Sequence, residues 1–147
     1  MPRPELDASL VELVASQTGS ARVRIVGRSM RPLLRAGMVV EVEPLAEPPR
    51  IGDILVFRGS QRLVAHRLVA SNDATYITCG DAFPERAEFV PAPRVAGRVE
   101  KVWSREGEGA RRVDGRVFRL AGAIFARTRT LRAFLRRARN AGDLWAT

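Results

Sequence analysis

A small, mainly β domain is expected from three features of this chain. Six short runs are rich in valine and isoleucine, turn residues separate them, and helical periodicity is confined to the two ends. The runs are "ARVRIVG", "GMVVEVEP", "DILVFR", "RLVAHRLVAS", "TYITCGD" and "RVAGRVEKVW". Branched side chains at that density suit the pleated, half-buried surface of a strand. Pro32 and Gly37, Pro48 and Pro49, Gly59 and Ser60, Asn72 and Asp73, then Pro91 and Pro93 punctuate them. Short strands at this spacing predict a small antiparallel sheet or partly closed barrel.

Ahead of the strands, Leu6, Leu10, Val11, Leu13 and Val14 recur at helical spacing from Glu5 to about Ser16, and Gly19 is placed to end the helix. Glu5 and Asp7 sit near its start, where the helix dipole favours acids. Behind the strands, "SREGEGARRVDG" reads as a loop. Helical period then returns from Val117 to about Asn140, with Val117, Leu120, Ile124, Leu131 and Leu135 on one stripe and arginines on both sides of it. The chain thus divides into an N-terminal helix (1–20), a β domain (21–104), a loop (105–115) and a basic C-terminal amphipathic helix and tail (116–147). It carries no internal repeat and no low-complexity tract.

With 147 residues, 46% of them hydrophobic, the chain suffices for one domain with a real core. Its single cysteine, Cys79, excludes an internal disulfide framework and a cysteine-rich metal site. No zinc-ligand set, phosphate-binding glycine loop or dinucleotide fingerprint is present, so neither metal nor cofactor is expected. Lys and Arg number 25 against 16 Asp and Glu, a net charge of +9 concentrated after Arg111, and Lys101 is the sole lysine. A basic surplus suits anionic partners. For the C-terminal stripe, with Phe118, Phe125 and Phe134, packing on the domain or on a partner ranks first, an anionic membrane surface second and nucleic acid last. No run approaches the roughly 18–20 apolar residues of a membrane span. The opening "MPRPELDASLVELVASQTGS" lacks the apolar core of a secretory signal. A cytoplasmic protein, with peripheral membrane contact through the C-terminal helix as an option, is the expectation.

The chemistry centres on "VGRSMRPLLRAG", where Ser29 lies between a strand-like run and a turn. A serine hydroxyl is a weak nucleophile at neutral pH and needs a base within hydrogen-bond reach and donors for the oxyanion. The chain offers one histidine, His66, and one lysine, Lys101. Alternation in "RLVAHRLVAS" places His66 on the face of Val64 and Leu68, where partial burial keeps imidazole neutral and able to accept a proton. Taken alone, that strand favours a satisfied core histidine over a base.

Taken together, "GRSMRPLLRAG", "IGDILVFR", "LVAHRLVAS", "YITCGDA" and "VAGRV" resemble in order and spacing the type I signal peptidases and their LexA-like relatives, the S24/S26 serine peptidases. In that family a "GxSMxPxLxxG" element carries the nucleophile and the base lies on a later strand just before an arginine. The base is histidine in the archaeal and endoplasmic-reticulum branch, which this chain follows over roughly Val23 to Val102. The resemblance implies a serine endopeptidase with Ser29 as nucleophile and His66 as general base. Asp81 would be the carboxylate that orients the imidazole or maintains the site. Gly27, Arg28, Met30 and Pro32 would form the substrate and oxyanion region. The substrate would be an extended leader or signal-like peptide added as a strand to a sheet edge, with small residues such as alanine first and third on the amino-terminal side of the cut.

Other acids and thiols have simpler readings. Asp53 follows Gly52 at the entrance to a strand and reads as a turn cap, Asp73 as a solvated turn and Cys79 as a small packing residue. The chain departs from the family at Gly27, where a hydroxyl residue is common, at Met38 in place of an aspartate, and at Cys79 in place of a lysine. Two rival functions follow: a catalytically silent module that binds peptides or partners on the same fold, and a LexA-like regulator that cleaves its own chain.

Overall fold

The computed structural model describes residues 8–60, 62–72, 74–83, 85–104, 109–112, 124 and 128. It begins with a helix, α1 (Ala8–Thr18), capped at its end by Gly19, which takes a φ of 84° and donates from its N–H to the Ala15 carbonyl at 2.8 Å. That left-handed conformation is open to glycine without steric cost. Val11 and Ala15 of α1 pack against Ala21, with Val23 and Leu63 beside them.

The body is a single antiparallel sheet that curls into a half-barrel. Its strands are β1 (Ala21–Arg24), β2 (Val39–Glu43), β3 (Ile54–Arg58), β4 (Leu63–Ser71), β5 (Thr75–Cys79), β6 (Glu88–Pro91), β7 (Val95–Trp103) and the short β8 (Arg111–Arg112). The order across the sheet is β1-β2-β7-β3-β4-β5-β6. Strands β3 to β6 form a meander, and β7 then returns to fill the gap between β2 and β3. One edge of β7 is shared, Val95, Gly97 and Arg98 pairing with β3 and Lys101 and Val102 with β8.

Each of the six sequence runs contains a strand. Two strands were not anticipated: β6, and β8 within the stretch 105–115 expected to be loop. The C-terminal stripe expected over 117–140 lies, except for Ile124 and Thr128, outside the described residues. Among the described residues, no helix is long and apolar enough to cross a membrane.

Both faces of the sheet are covered, as the near-continuous apolar runs require. On one face Met30, Leu34, Val40, Val42, Ile54, Val56, Val99 and Val102 form the larger cluster. On the other, Leu55, Phe57, Leu68 and Val90 pack together with Val64 and Tyr76. Alternate residues of β3 and β4 divide between the two clusters, so a one-residue slip would exchange them.

The tightest backbone approach is at Gly97 in β7. A Cβ there would overlap the carbonyl oxygen of Glu43, with Val42 Cγ1 at 2.9 Å. Gly97→Ala therefore forces β2 and β7 apart, and a loss of about 1–3 kcal/mol, typical of overpacking, is expected in urea unfolding. An unchanged midpoint would contradict this packing.

Candidate active site

The turn that carries Ser29 is anchored at both ends. Ile25 donates to the Met38 carbonyl and accepts from Gly37 N–H, each at 2.8 Å, which closes the neck of the loop. Inside it, Arg31 N–H donates to Arg28 O at 3.2 Å and Leu34 N–H to Met30 O at 2.9 Å. Met30 and Leu34, at 3% and 0% exposure, plug this turn into the core while Pro32 stays at its surface. Ser29 is thus held on a turn whose two flanking apolar anchors are fixed by packing.

His66 comes from β4, opposite Leu55 of β3, and its ring meets Phe57 edge-on at a centroid distance of 5.9 Å. Its Nε2 lies 3.1 Å from Ser29 Oγ. On its other side, Nδ1 lies 3.4 Å from a carboxylate oxygen of Glu88 on β6. At that distance the contact is electrostatic and not a formed hydrogen bond, and buried Nδ1 makes none with any other group. Burial lowers the His66 pKa below its ordinary 6.5; Glu88 and, less directly, Asp81 oppose the shift without cancelling it. The imidazole is therefore mostly neutral at pH 7 and carries one N–H. A carboxylate can only accept, so the tautomer favoured by Glu88 has the proton on Nδ1 and leaves the Nε2 lone pair facing the Ser29 hydroxyl.

Asp81 does something different from orienting the imidazole. Its two oxygens accept from Arg67 Nε and Nη2, both at 2.7 Å, in a bidentate pair whose members are 4% and 5% exposed. Arg67 also donates from Nη1 to the Gly52 carbonyl at 2.9 Å. The carboxylate beside Nδ1 is that of Glu88, while both oxygens of Asp81 are bonded by Arg67. Asp81 lies in the turn after β5, and the next residue, Ala82, donates from its N–H to the Ser29 carbonyl at 2.9 Å. The preceding residue must be glycine, because a Cβ on Gly80 would stand 2.5 Å from Ser29 O and 2.9 Å from Ser29 Cβ.

Glu88 was not found from the sequence. Its segment, "ERAEFVPAP", is short and closed by prolines, and no local pattern in it points to the imidazole. Only pairing reveals it: Leu68, Thr78 and Glu88 form one row across β4, β5 and β6, which puts Glu88 on the His66 face.

The pair opens into a cleft of about 380 Å³. Its lining comes from Ile25, Gly27 and Arg28 beside the Ser29 turn, from Arg62 to His66 at the start of β4, and from Phe83, Arg86 and Glu88 after β5. Among the described residues β4 pairs with β5 only from Arg67 onward, so Leu63 to His66 pair with β3 on one side and face the cleft with the other. A Cβ on Gly27 would meet nothing within 4 Å, so the space beside the Ser29 turn is open.

The remaining candidates sit elsewhere. Lys101 donates to Glu41 at 3.2 Å on the sheet and does not line the cleft. Asp53 accepts from Arg50 N–H at 2.8 Å, closing the turn before β3. Cys79 is buried opposite Arg67, and Asp73 lies outside the described residues. Among the described residues, no cluster of His, Cys, Asp and Glu is arranged to hold a metal ion.

Removing one member of the Arg67–Asp81 pair leaves a buried charge alone, and Asp81→Ala is expected to cost about 3–5 kcal/mol in chemical denaturation. Arg67→Met combined with Asp81→Leu removes both charges and is expected to recover most of that loss. A double variant as unstable as the single one would show that the damage comes from packing.

No protein-family model matches this chain, and neither does any curated protein.

Proposed function

We propose that this protein is a serine endopeptidase of the signal-peptidase-like kind, with Ser29 as nucleophile and His66 as general base. The observation that carries the reading is the 3.1 Å contact between Ser29 Oγ and the Nε2 of a half-buried, neutral histidine at an open strand edge. The resemblance of the "GRSMRP", "VAHR" and "CGDA" segments to the histidine branch of the S24/S26 peptidases supports it independently.

In this reading an extended peptide adds to the free edge of β4 at Leu63–His66, main chain against main chain. Ser29 Oγ attacks the scissile carbonyl carbon while His66 Nε2 takes the hydroxyl proton. The C–N bond then breaks, His66 returns the proton to the leaving amine, and water attacks the acyl ester by the same route. Gly27 has no side chain to donate to the oxyanion, so that task rests on backbone N–H groups beside Ser29. Glu88 stabilises the imidazolium formed in each step. Because it is half exposed, its contribution is smaller than that of a buried triad acid.

The deciding experiment is mass spectrometry of a diverse peptide library after incubation with the protein, Ser29→Ala and His66→Ala. Cuts lost in both variants are expected; cuts that survive Ser29→Ala, or none at all from folded protein, would sink the reading and leave a peptide-binding module.

The pH profile tests the base. A lowered His66 pKa means that kcat/KM rises with pH through a midpoint below 6.5 as the imidazole loses its proton. Glu88 raises that pKa, so Glu88→Gln is expected to move the midpoint further down and to lower the plateau by roughly tenfold. A midpoint near 9 would rule out His66 as the base.

Space beside Gly27 allows a gain-of-function test. Gly27→Ser introduces a hydroxyl donor without steric conflict, and an increase in kcat of up to about a hundredfold is the scale of one oxyanion donor. A lower kcat with unchanged stability would mean that the oxyanion lies elsewhere.

A further inference from the structure

Among the described residues, three arginines of the sheet lie beside acids and three at the cleft do not. On the sheet, Arg22 approaches Glu41 at 3.9 Å and lies 4.5 Å over the Trp103 ring, Arg67 binds Asp81, and Arg98 approaches Asp53 and Glu100 at 3.8 and 3.7 Å. At the cleft, Arg28, Arg62 and Arg86 are all exposed, and among the described residues none of them meets a carboxylate. Arg86 is nonetheless placed, its guanidinium 4.9 Å over the Phe83 ring that lines the same space. Glu88 is the sole acid among the lining residues, and it is engaged at His66.

Their positions follow the path of an added strand. Arg28 directly precedes the nucleophile in the chain, and Arg86 lines the same cleft. Arg62 lies four residues from His66 along β4, about 13 Å at the rise of an extended chain. The walls between are apolar, from Ile25, Met30, Leu63, Val64 and Phe83. A peptide that is small and apolar at the centre but carries aspartate or glutamate three or four residues from the reacting carbonyl would satisfy all three cations. A basic peptide would meet repulsion at both ends of the cleft.

We infer that the cleft selects acidic peptides: substrates whose apolar scissile segment is flanked by carboxylate side chains held by Arg28, Arg62 and Arg86. The inference rests on the peptidase reading for the word substrate. Binding alone can be measured without it.

The test uses the full chain with Ser29→Ala and a fluorescein-labelled alanine–valine peptide bearing two glutamates at each end, beside a twin with glutamines there. Several exposed charge pairs together predict roughly tenfold tighter binding of the acidic twin at low salt. That preference is expected to vanish near 1 M salt, where the screening length falls to about 3 Å. Adding Arg62→Glu and Arg86→Glu is expected to reverse it in favour of a lysine twin. Equal affinity for the twins, no binding of either, or a preference untouched by the charge reversal would overturn the inference. So would tighter, arginine-dependent binding to phosphatidylglycerol vesicles, which would make the cleft mouth a lipid surface. Parallel digestion by the wild-type protein separates the two proposals. Cuts with no acidic enrichment leave a peptidase without this selectivity, and acidic selectivity without cuts leaves a binding cleft without peptidase activity.

Discussion

The geometry of the site depends on the buried pair between Arg67 and Asp81. His66 and Arg67 are adjacent on β4, so the arginine's bonds hold the backbone from which the imidazole projects, and Phe57, Ser29 and Glu88 surround the ring itself. Asp81 and Ala82 are adjacent in the turn after β5, so whatever fixes the aspartate fixes the N–H that holds the Ser29 carbonyl. The bidentate bond joins these two short lengths of chain, and the third donor of Arg67 ties in the turn before β3 through Gly52. A buried ion pair is often neutral or unfavourable for stability, because desolvation offsets the Coulomb attraction. Its value here is positional: it sets the distance between a hydroxyl and an imidazole that come from residues 37 positions apart.

The imidazole itself is governed by a contest between burial and carboxylates. Glu88 and Asp81 both favour the charged ring, yet desolvation is the largest influence and the pKa falls. Asp81 acts weakly because Arg67 neutralises it, and Glu88 acts weakly because water reaches half of its side chain. Had Asp81 been free to face His66, the ring would hold its proton to higher pH and, in the proposed reaction, would serve less well as a base. The salt bridge therefore contributes twice, once by aligning the site and once by withholding a negative charge from the histidine.

The sheet was legible in the sequence wherever apolar residues were dense, and so were the residues of the candidate site that lie near those runs. The runs holding β1 to β5 and β7 bury valine, isoleucine and leucine on alternating faces, and Ser29, His66 and Asp81 all fall within or beside them. Strand β6 was not legible because it has one buried residue, Val90, between prolines at 84 and 91; its place in the sheet is conferred by β5. Glu88 was missed with it. Asp81 was found, but its partner was not assignable, since the arginine beside His66 could equally have faced solvent until β4 and β5 were set in register. What the sequence left open is in each case a contact between strands.

The open edge at Leu63–His66 brings a constraint that also bears on the cleft's charge. An unpaired strand edge invites another copy of the same edge, and folded proteins blunt such edges with charge. Here Arg62 directly precedes the stretch that, among the described residues, is unpaired, and Arg28 and Arg86 line the same cleft. Two such edges approaching each other would bring these exposed like charges together, a repulsion that salt screens. An acidic strand meets the opposite field and gains the same main-chain bonds. One set of three arginines would thus disfavour self-pairing and favour a carboxylate-bearing peptide, in keeping with cations that, among the described residues, meet no carboxylate at the cleft while Arg22, Arg67 and Arg98 on the sheet lie beside acids.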